Sequence, residues 1–359
     1  MERLPHNDKL DICAFENMLD LAYMTNSYKI YWFFSIFEDV RRGRKVIPFR
    51  EAVLRMVCKS WYSVVQYKLN LGVMDQLGSL VDDIRKKYDF KSDIPETELY
   101  NKLNEIEDDE IESDVSNFYK YVPYRLLTPF YDLDLRGIPD CKRNKAIAYL
   151  SVKDDRAIYK ILGDTITIND NWFDYICQNQ LIIEGWLNYR LIYYLQKKNP
   201  NVPAIPLKIY PPQTRDLAGA KKFWKAILNI RPLIDIYTGR PLTDKNLSID
   251  HFIPWSFVMH DELWNLVPTS RDVNSSKSDG LPDLGLYLEK FCDMQYTALA
   301  IAVEKGFHKK DIECYLNFNI DVSRNSLNLM VFNHRLHETI KPLYQLARNQ
   351  GFMVWKWQN

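Results

Sequence analysis

Apolar residues recur at helical spacing along most of this chain and at strand spacing in two short regions. From about Phe15 to Tyr88 the pattern is helical. Ser27–Arg42 is apolar on most faces, which predicts a buried helix. Pro48–Leu69 repeats apolar residues at Val53, Leu54, Val57, Trp61, Val64 and Val65, the spacing of a second long helix. Lys145–Val152 and Arg156–Ile168 carry strand-like runs, with a hairpin expected to turn at Gly163-Asp164. One long helix is expected over Asn171–Lys197 and a short one over Ala218–Leu228. Leu247–Ile253 alternates as a strand does, and Pro254 ends it. Leu263–Val267 is a second short apolar run. Thr269–Asp272 then offers helix-start residues, with Ser270 or Asp272 as the N-cap. Asn274 and Lys277 follow at an i, i+3 spacing and share a helix face. Gly280 and Pro282 stop that helix. Helices over Leu284–Lys305 and Ser323–Asn349 and a terminal strand within Phe352–Trp357 complete the reading. The expected fold is mainly α, with a small strand–loop–strand–helix α+β element in the C-terminal third and a short β-hairpin region near 145–168.

This pattern divides the chain. Residues 1–200 read as a mainly helical part suited to recognition or regulation. Residues 201–230 form a Pro-rich, basic connector, for Asn199–Gln213 holds five prolines. Residues 231–285 hold the strand–helix element, and 286–359 hold C-terminal helices. The acidic run within Asn104–Asp114 offers a further boundary.

Charge alters the picture in one place. Over all 359 residues, 47 basic side chains balance 47 acidic ones, unlike a protein that grips nucleic acid by bulk charge. Between Asn201 and Ile249, however, eight basic residues face three acidic ones, directly before the α+β element. The six cysteines are scattered and none forms a CxxC pair, which reads as reduced thiols. No signal peptide or membrane-spanning run is evident, so a cytoplasmic protein without membrane contact is expected.

The residues around the second strand-like region point to a chemistry. Cutting a phosphodiester needs an activated water and a stabiliser for the departing oxygen. A hard divalent cation keeps several waters and accepts one carboxylate and one amide oxygen as protein ligands. Asp250 can supply the carboxylate and Asn274 the amide. His251 can take the proton from water. Neighbours on a strand point to opposite faces, so Asp250 and His251 can approach from different sides. Asn265 can orient the base through its side-chain amide.

The stretch Ile249–Pro282, with DHFIPWS, WNLVP and NSSKSDGLP, resembles the ββα-metal motif of HNH endonucleases and is similar to the HNH domain of RNA-guided CRISPR nucleases. The resemblance covers roughly residues 230–285. It implies that Asp250 and Asn274 bind the metal, that His251 is the general base, and that Asn265 supports the base loop. Lys277 stands where the family often places a basic residue near the phosphate. Arg240 and Lys245, from the basic lead-in, join it as phosphate contacts. Many family members brace the motif with a zinc knuckle, but here Asp235 and Thr238 stand where its CxxC cysteines would be. No structural zinc is therefore expected, and Trp255, Trp264 and Tyr237 are expected to brace the motif by packing. The implied protein is a Mg²⁺- or Mn²⁺-dependent endonuclease acting on duplex DNA, by analogy in bacterial anti-phage defence, with an activating or sensor partner. A ribonuclease with the same site and a non-cutting nucleic-acid-binding subunit are the alternatives.

Overall fold

The computed structural model describes residues 3–22, 24–212, 215–307, 309–318 and 327–358. The chain divides into two compact units, residues 1–200 with 205–212 and residues 201–204 with 213–359.

In the first unit, helices α1 (Tyr28–Arg41) and α2 (Phe49–Trp61) form the centre. Every side chain from Ile30 to Phe37 is buried, as a helix apolar on all faces requires. α2 continues into a π-helical turn at Tyr62–Gln66. An antiparallel sheet of β1 (Val46–Pro48), β2 (Tyr159–Leu162) and β3 (Thr165–Ile168) runs in the order β1-β3-β2. Its register sets Ile47, Ile166 and Ile161 side by side, all buried. The β2–β3 hairpin turns at Gly163 with φ 60°, as its sequence predicts.

Residues 145–152 are not strand. They lie in α3 (Asp140–Lys153), entered through Pro139 and burying Ile147 and Ser151 one turn apart. A short apolar run does not by its periodicity separate the two states. The long helix expected over 171–197 is two helices, α4 (Asp170–Gln178) and α5 (Gln180–Lys198), broken at Asn179. The acidic run is no boundary. Within the first unit, Asp108 caps the helix Asp109–Asn117 by accepting from the amides of Glu110 and Ile111. Its acidic first turn suits the positive end of the helix dipole.

The second unit holds α6 (Ala218–Ile230), β4 (Leu247–His251), β5 (Leu266–Ser270) and α7 (Arg271–Lys277). After them come β6 (Leu281–Pro282), α8 (Leu284–Glu304), α9 (Leu329–Asn349) and β7 (Val354–Trp355). β4 and β5 pair antiparallel, with Asp250 opposite Val267 and His251 opposite Leu266. β6 and β7 pair in parallel. The core gathers Trp224 and Ile227 of α6, Val273 of α7, Leu299 of α8 and Leu336 and Ile340 of α9. Phe252, just past β4, stacks on Phe291 of α8 with centroids 4.0 Å apart. Residues 323–326 of the expected helix before Leu329 lie outside the described residues. Among the described residues, no helix is long and apolar enough to cross a membrane.

Candidate active site

Strand β4 carries Asp250 and His251 at its end, and both are buried despite being ionisable, at 3 % and 5 % exposure. Buried charges need partners, and each has found them. Asp250 Oδ2 accepts from the Tyr237 hydroxyl at 2.7 Å, and Oδ1 lies 3.1 Å from the Lys277 ammonium. Burial first, and then the neighbouring Asp250 carboxylate, push the Tyr237 hydroxyl well above its ordinary range, so it stays a donor.

His251 Nε2 lies 2.7 Å from Asp261 Oδ1. A carboxylate can only accept, so Nε2 carries a proton, and in the neutral ring the lone pair is then on Nδ1. The side-chain partner of this histidine is thus Asp261 and not Asn265. Asn265, fully buried, uses its amide on the neighbouring loop instead: Oδ1 accepts from the Ile253 amide at 2.8 Å and Nδ2 donates to the Ile253 carbonyl at 2.9 Å. It clamps the backbone that leaves β4.

Helix α7 turns Asn274 and Lys277 toward β4. Asn274 Nδ2 donates to Ser248 Oγ at 2.9 Å and to the Ile249 carbonyl at 3.3 Å. These bonds orient the amide and leave its carbonyl oxygen without a hydrogen-bond partner among the described residues. Lys277 is neither a solvated lysine nor one that reaches outward. Its side chain is fully buried, and its ammonium donates to the His251 carbonyl at 2.7 Å as well as to Asp250. Arg240 and Lys245 are exposed, but they line a separate cavity of about 310 Å³ with Arg271 and Trp357.

The catalytic candidates share one cavity of about 590 Å³, lined by Asp250, His251 and Asn274 together with Arg215, Trp255 and Asp279. These donors fit a hard divalent cation. Each carboxylate oxygen retains a lone pair beside its single bond, the Asn274 carbonyl is held in place, and the cavity has room for the waters such an ion keeps.

The segment facing the missing knuckle is joined by hydrogen bonds. Asp235, 1 % exposed, accepts from the Tyr237 amide, from Thr269 Oγ1 at 2.8 Å and from the Ser270 amide at 3.1 Å, tying the turn to the end of β5. Tyr237 and Trp264 are buried as expected of braces, whereas Trp255 is half-buried and forms cavity wall. His260 is not a free surface residue. It is half-buried against Trp264, and burial, with the nearby His251, lowers its pKa.

Two partners escaped the sequence reading. Asp261 lies ten residues after His251, between β4 and β5, and its closure onto the ring has no pattern in sequence. The hydroxyl of Tyr237 was hidden behind its role as an aromatic brace.

Residues 235–283 match a family model described as HNH endonuclease. Among curated proteins, the chain is 30 % identical over 158 residues to the CRISPR-associated endonuclease Cas9 of Listeria innocua serovar 6a. That alignment takes in 42 % of this chain, which spans 11 % of the length of the curated relative it matches. No solved structure matches the chain. The match encloses Asp250, His251, Asn265, Asn274 and Lys277, and residues 235–283 thus form an HNH endonuclease domain similar to that of Cas9.

Proposed function

We propose that the second unit is a metal-dependent phosphodiesterase acting on duplex DNA. The observation that carries this reading is the convergence of Asp250, His251 and Asn274 on one cavity inside the HNH domain. Asp250 and Asn274 would hold a single Mg²⁺ or Mn²⁺, which when bound supplies Lewis-acid stabilisation of the departing oxygen. His251 takes the water proton at Nδ1, while Asp261 fixes the ring and its tautomer through Nε2–H. Lys277 holds the end of β4 by its bonds to Asp250 and the His251 carbonyl. Asn265 holds the loop that follows.

On this reading the first unit serves recognition or regulation, residues 231–285 cut and 286–359 support, while the stretch expected as a connector is divided between the units, 205–212 in the first and α6 in the second. By analogy with the CRISPR-associated relative, the setting is bacterial defence against phage, inside the cytoplasm and with an activating partner.

The test is purified protein with Mg²⁺ or Mn²⁺ on supercoiled plasmid, linear duplex, single strands and RNA, beside His251→Ala. The expected result is duplex nicking that EDTA stops and that His251→Ala slows by about 10²- to 10⁴-fold. A variant that cuts like its parent removes His251 as the base. Cleavage of RNA alone would make the protein a ribonuclease, and binding without cleavage under either metal would make it a non-cutting subunit.

A further inference from the structure

The three basic residues expected near the phosphate do not reach the catalytic cavity. Lys277 is buried and engaged by Asp250 and the His251 carbonyl, and Arg240 and Lys245 line another cavity. The wall of the catalytic cavity meanwhile carries two carboxylates, Asp250 and Asp279. The nucleic-acid backbone entering there is a polyanion, with one negative charge per phosphodiester, and a cationic side chain in the wall favours its approach.

Arg215 is the one Lys or Arg among the described residues lining that cavity. Its guanidinium carbon sits 5.2 Å from the centroid of the Trp255 ring, also in the wall. The indole face attracts the cation and keeps it at the cavity wall. A guanidinium presented this way suits two phosphate oxygens at once. Its neighbour Asp216 turns the other way along the chain, where its Oδ1 accepts from the Ala218 amide at 2.9 Å at the start of α6. Among the described residues no carboxylate forms an ion pair with Arg215.

We propose that Arg215, laid on Trp255, is a phosphate-binding site of the cleft that grips the nucleic-acid backbone beside the bond to be cut. It rests on the nuclease reading for the identity of the cut, while its own claim is to the backbone phosphate. Trp255 preorganises the guanidinium, so less side-chain freedom is lost when the phosphate arrives. Arg215→Lys keeps the charge and loses both the planar fork and the stack.

The experiment measures fluorescence anisotropy of a labelled DNA duplex, and of an RNA duplex of the same length, from 50 to 200 mM salt. It uses the full chain carrying His251→Ala, so that nothing is cut, alone and combined with Arg215→Ala, Arg215→Lys or Trp255→Leu. Nicking by Arg215→Ala in the otherwise unaltered chain is followed in parallel. Arg215→Ala is expected to weaken duplex binding about tenfold and to make the log–log salt dependence shallower by about one. Arg215→Lys should restore the salt slope but not the affinity, and Trp255→Leu should weaken binding with the slope retained. In nicking, KM should rise by the same factor with kcat within about threefold of its parent. Binding by Arg215→Ala within twofold of its parent, at an unchanged slope, overturns the proposal. If the parent binds duplex without ever nicking it while the Arg215 effect persists, the nuclease reading falls and the phosphate site stands. If the parent binds neither duplex at any salt, the phosphate site falls too.

Discussion

Asp250 illustrates how little of a residue's surroundings its type discloses. Its carboxylate is a natural ligand for a hard cation, and that much follows from sequence. That it is buried between Tyr237 and Lys277 does not, because burial depends on what the rest of the chain stacks over it. Lys277 makes the same point. Its spacing from Asn274 places both on one helix face, and both do bond residues of β4. Whether that face meets water or a strand is a tertiary matter, and here the strand wins. Removing either partner of such a buried pair leaves an uncompensated charge, at a cost of about 3–5 kcal/mol. Asp261 contributes differently, through geometry. Asp261→Asn can offer its amide hydrogens where Asp261 only accepts, so His251 loses the constraint on its tautomer. Its kcat is expected to fall about 10- to 100-fold with KM nearly unchanged, since second partners of this type contribute on that scale. Asp261→Glu should recover part of the loss. The ¹⁵N signals of His251 report the cause directly: one fixed tautomer in the parent and a mixture in Asp261→Asn. An unaltered kcat in Asp261→Asn would leave Asp261 a surface acid that merely sits nearby.

Among the elements, the strand–strand–helix core was the most legible part of the sequence. Alternation in Leu247–Ile253, the stop at Pro254 and the helix-start residues at 269–272 all have local causes, and β4, β5 and α7 follow them closely. The misread elements lack such local causes. Residues 145–152 are an apolar run without strong periodicity, and in α3 only Ile147 and Ser151, one turn apart, are buried. The interruption at Asn179 carries neither Gly nor Pro to announce it. Gly280 was read as a helix stop, but its reason is closer contact. A β-carbon there would stand 2.7 Å from Trp355 Cβ and 2.8 Å from the Lys277 carbonyl oxygen, because β7 runs against β6 at this point. Neither atom is the far end of a flexible side chain. Gly280→Ala should therefore destabilise the second unit by about 1–3 kcal/mol, read from the denaturant midpoint. Trp355→Ala should fail to rescue it, since alanine keeps the offending Cβ. A Gly280→Ala protein as stable as its parent would mean that neither Trp355 nor the Lys277 carbonyl crowds this position.

For the whole molecule, two compact units mean that stability has two sources. The first unit carries an unusual one at Lys208, whose side chain is buried. Burial pushes its ammonium down to about 7, against 10.5 when exposed in the unfolded chain. Between those values the unfolded chain binds more protons than the folded one, so the Lys208 contribution to stability climbs as pH rises from about 7 to about 10. Below that window both states are protonated and the cost of burying the charge is present in full. Lys208→Met is expected to be more stable than its parent at pH 7, with the difference shrinking toward pH 10 in denaturant titrations. A difference independent of pH would show that the lysine titrates normally. Nothing in the sequence marks Lys208, which sits in a Pro-rich stretch read as connector although residues 205–212 belong to the first unit.

The family match ends at residue 283, yet the side chains that steady Asp250 do not. Tyr237, which donates to Asp250, packs edge-on against Tyr287 at 5.1 Å and Trp355 at 5.3 Å, both beyond the match. Portability is the consequence. A transplant of residues 235–283 into another host would carry every candidate catalytic group and leave behind the aromatic wall that aims one of them. Such a chimera would inherit the candidate groups as an inventory without their alignment, and an engineer moving this domain would have to cut the gene after Trp355 rather than where the likeness stops.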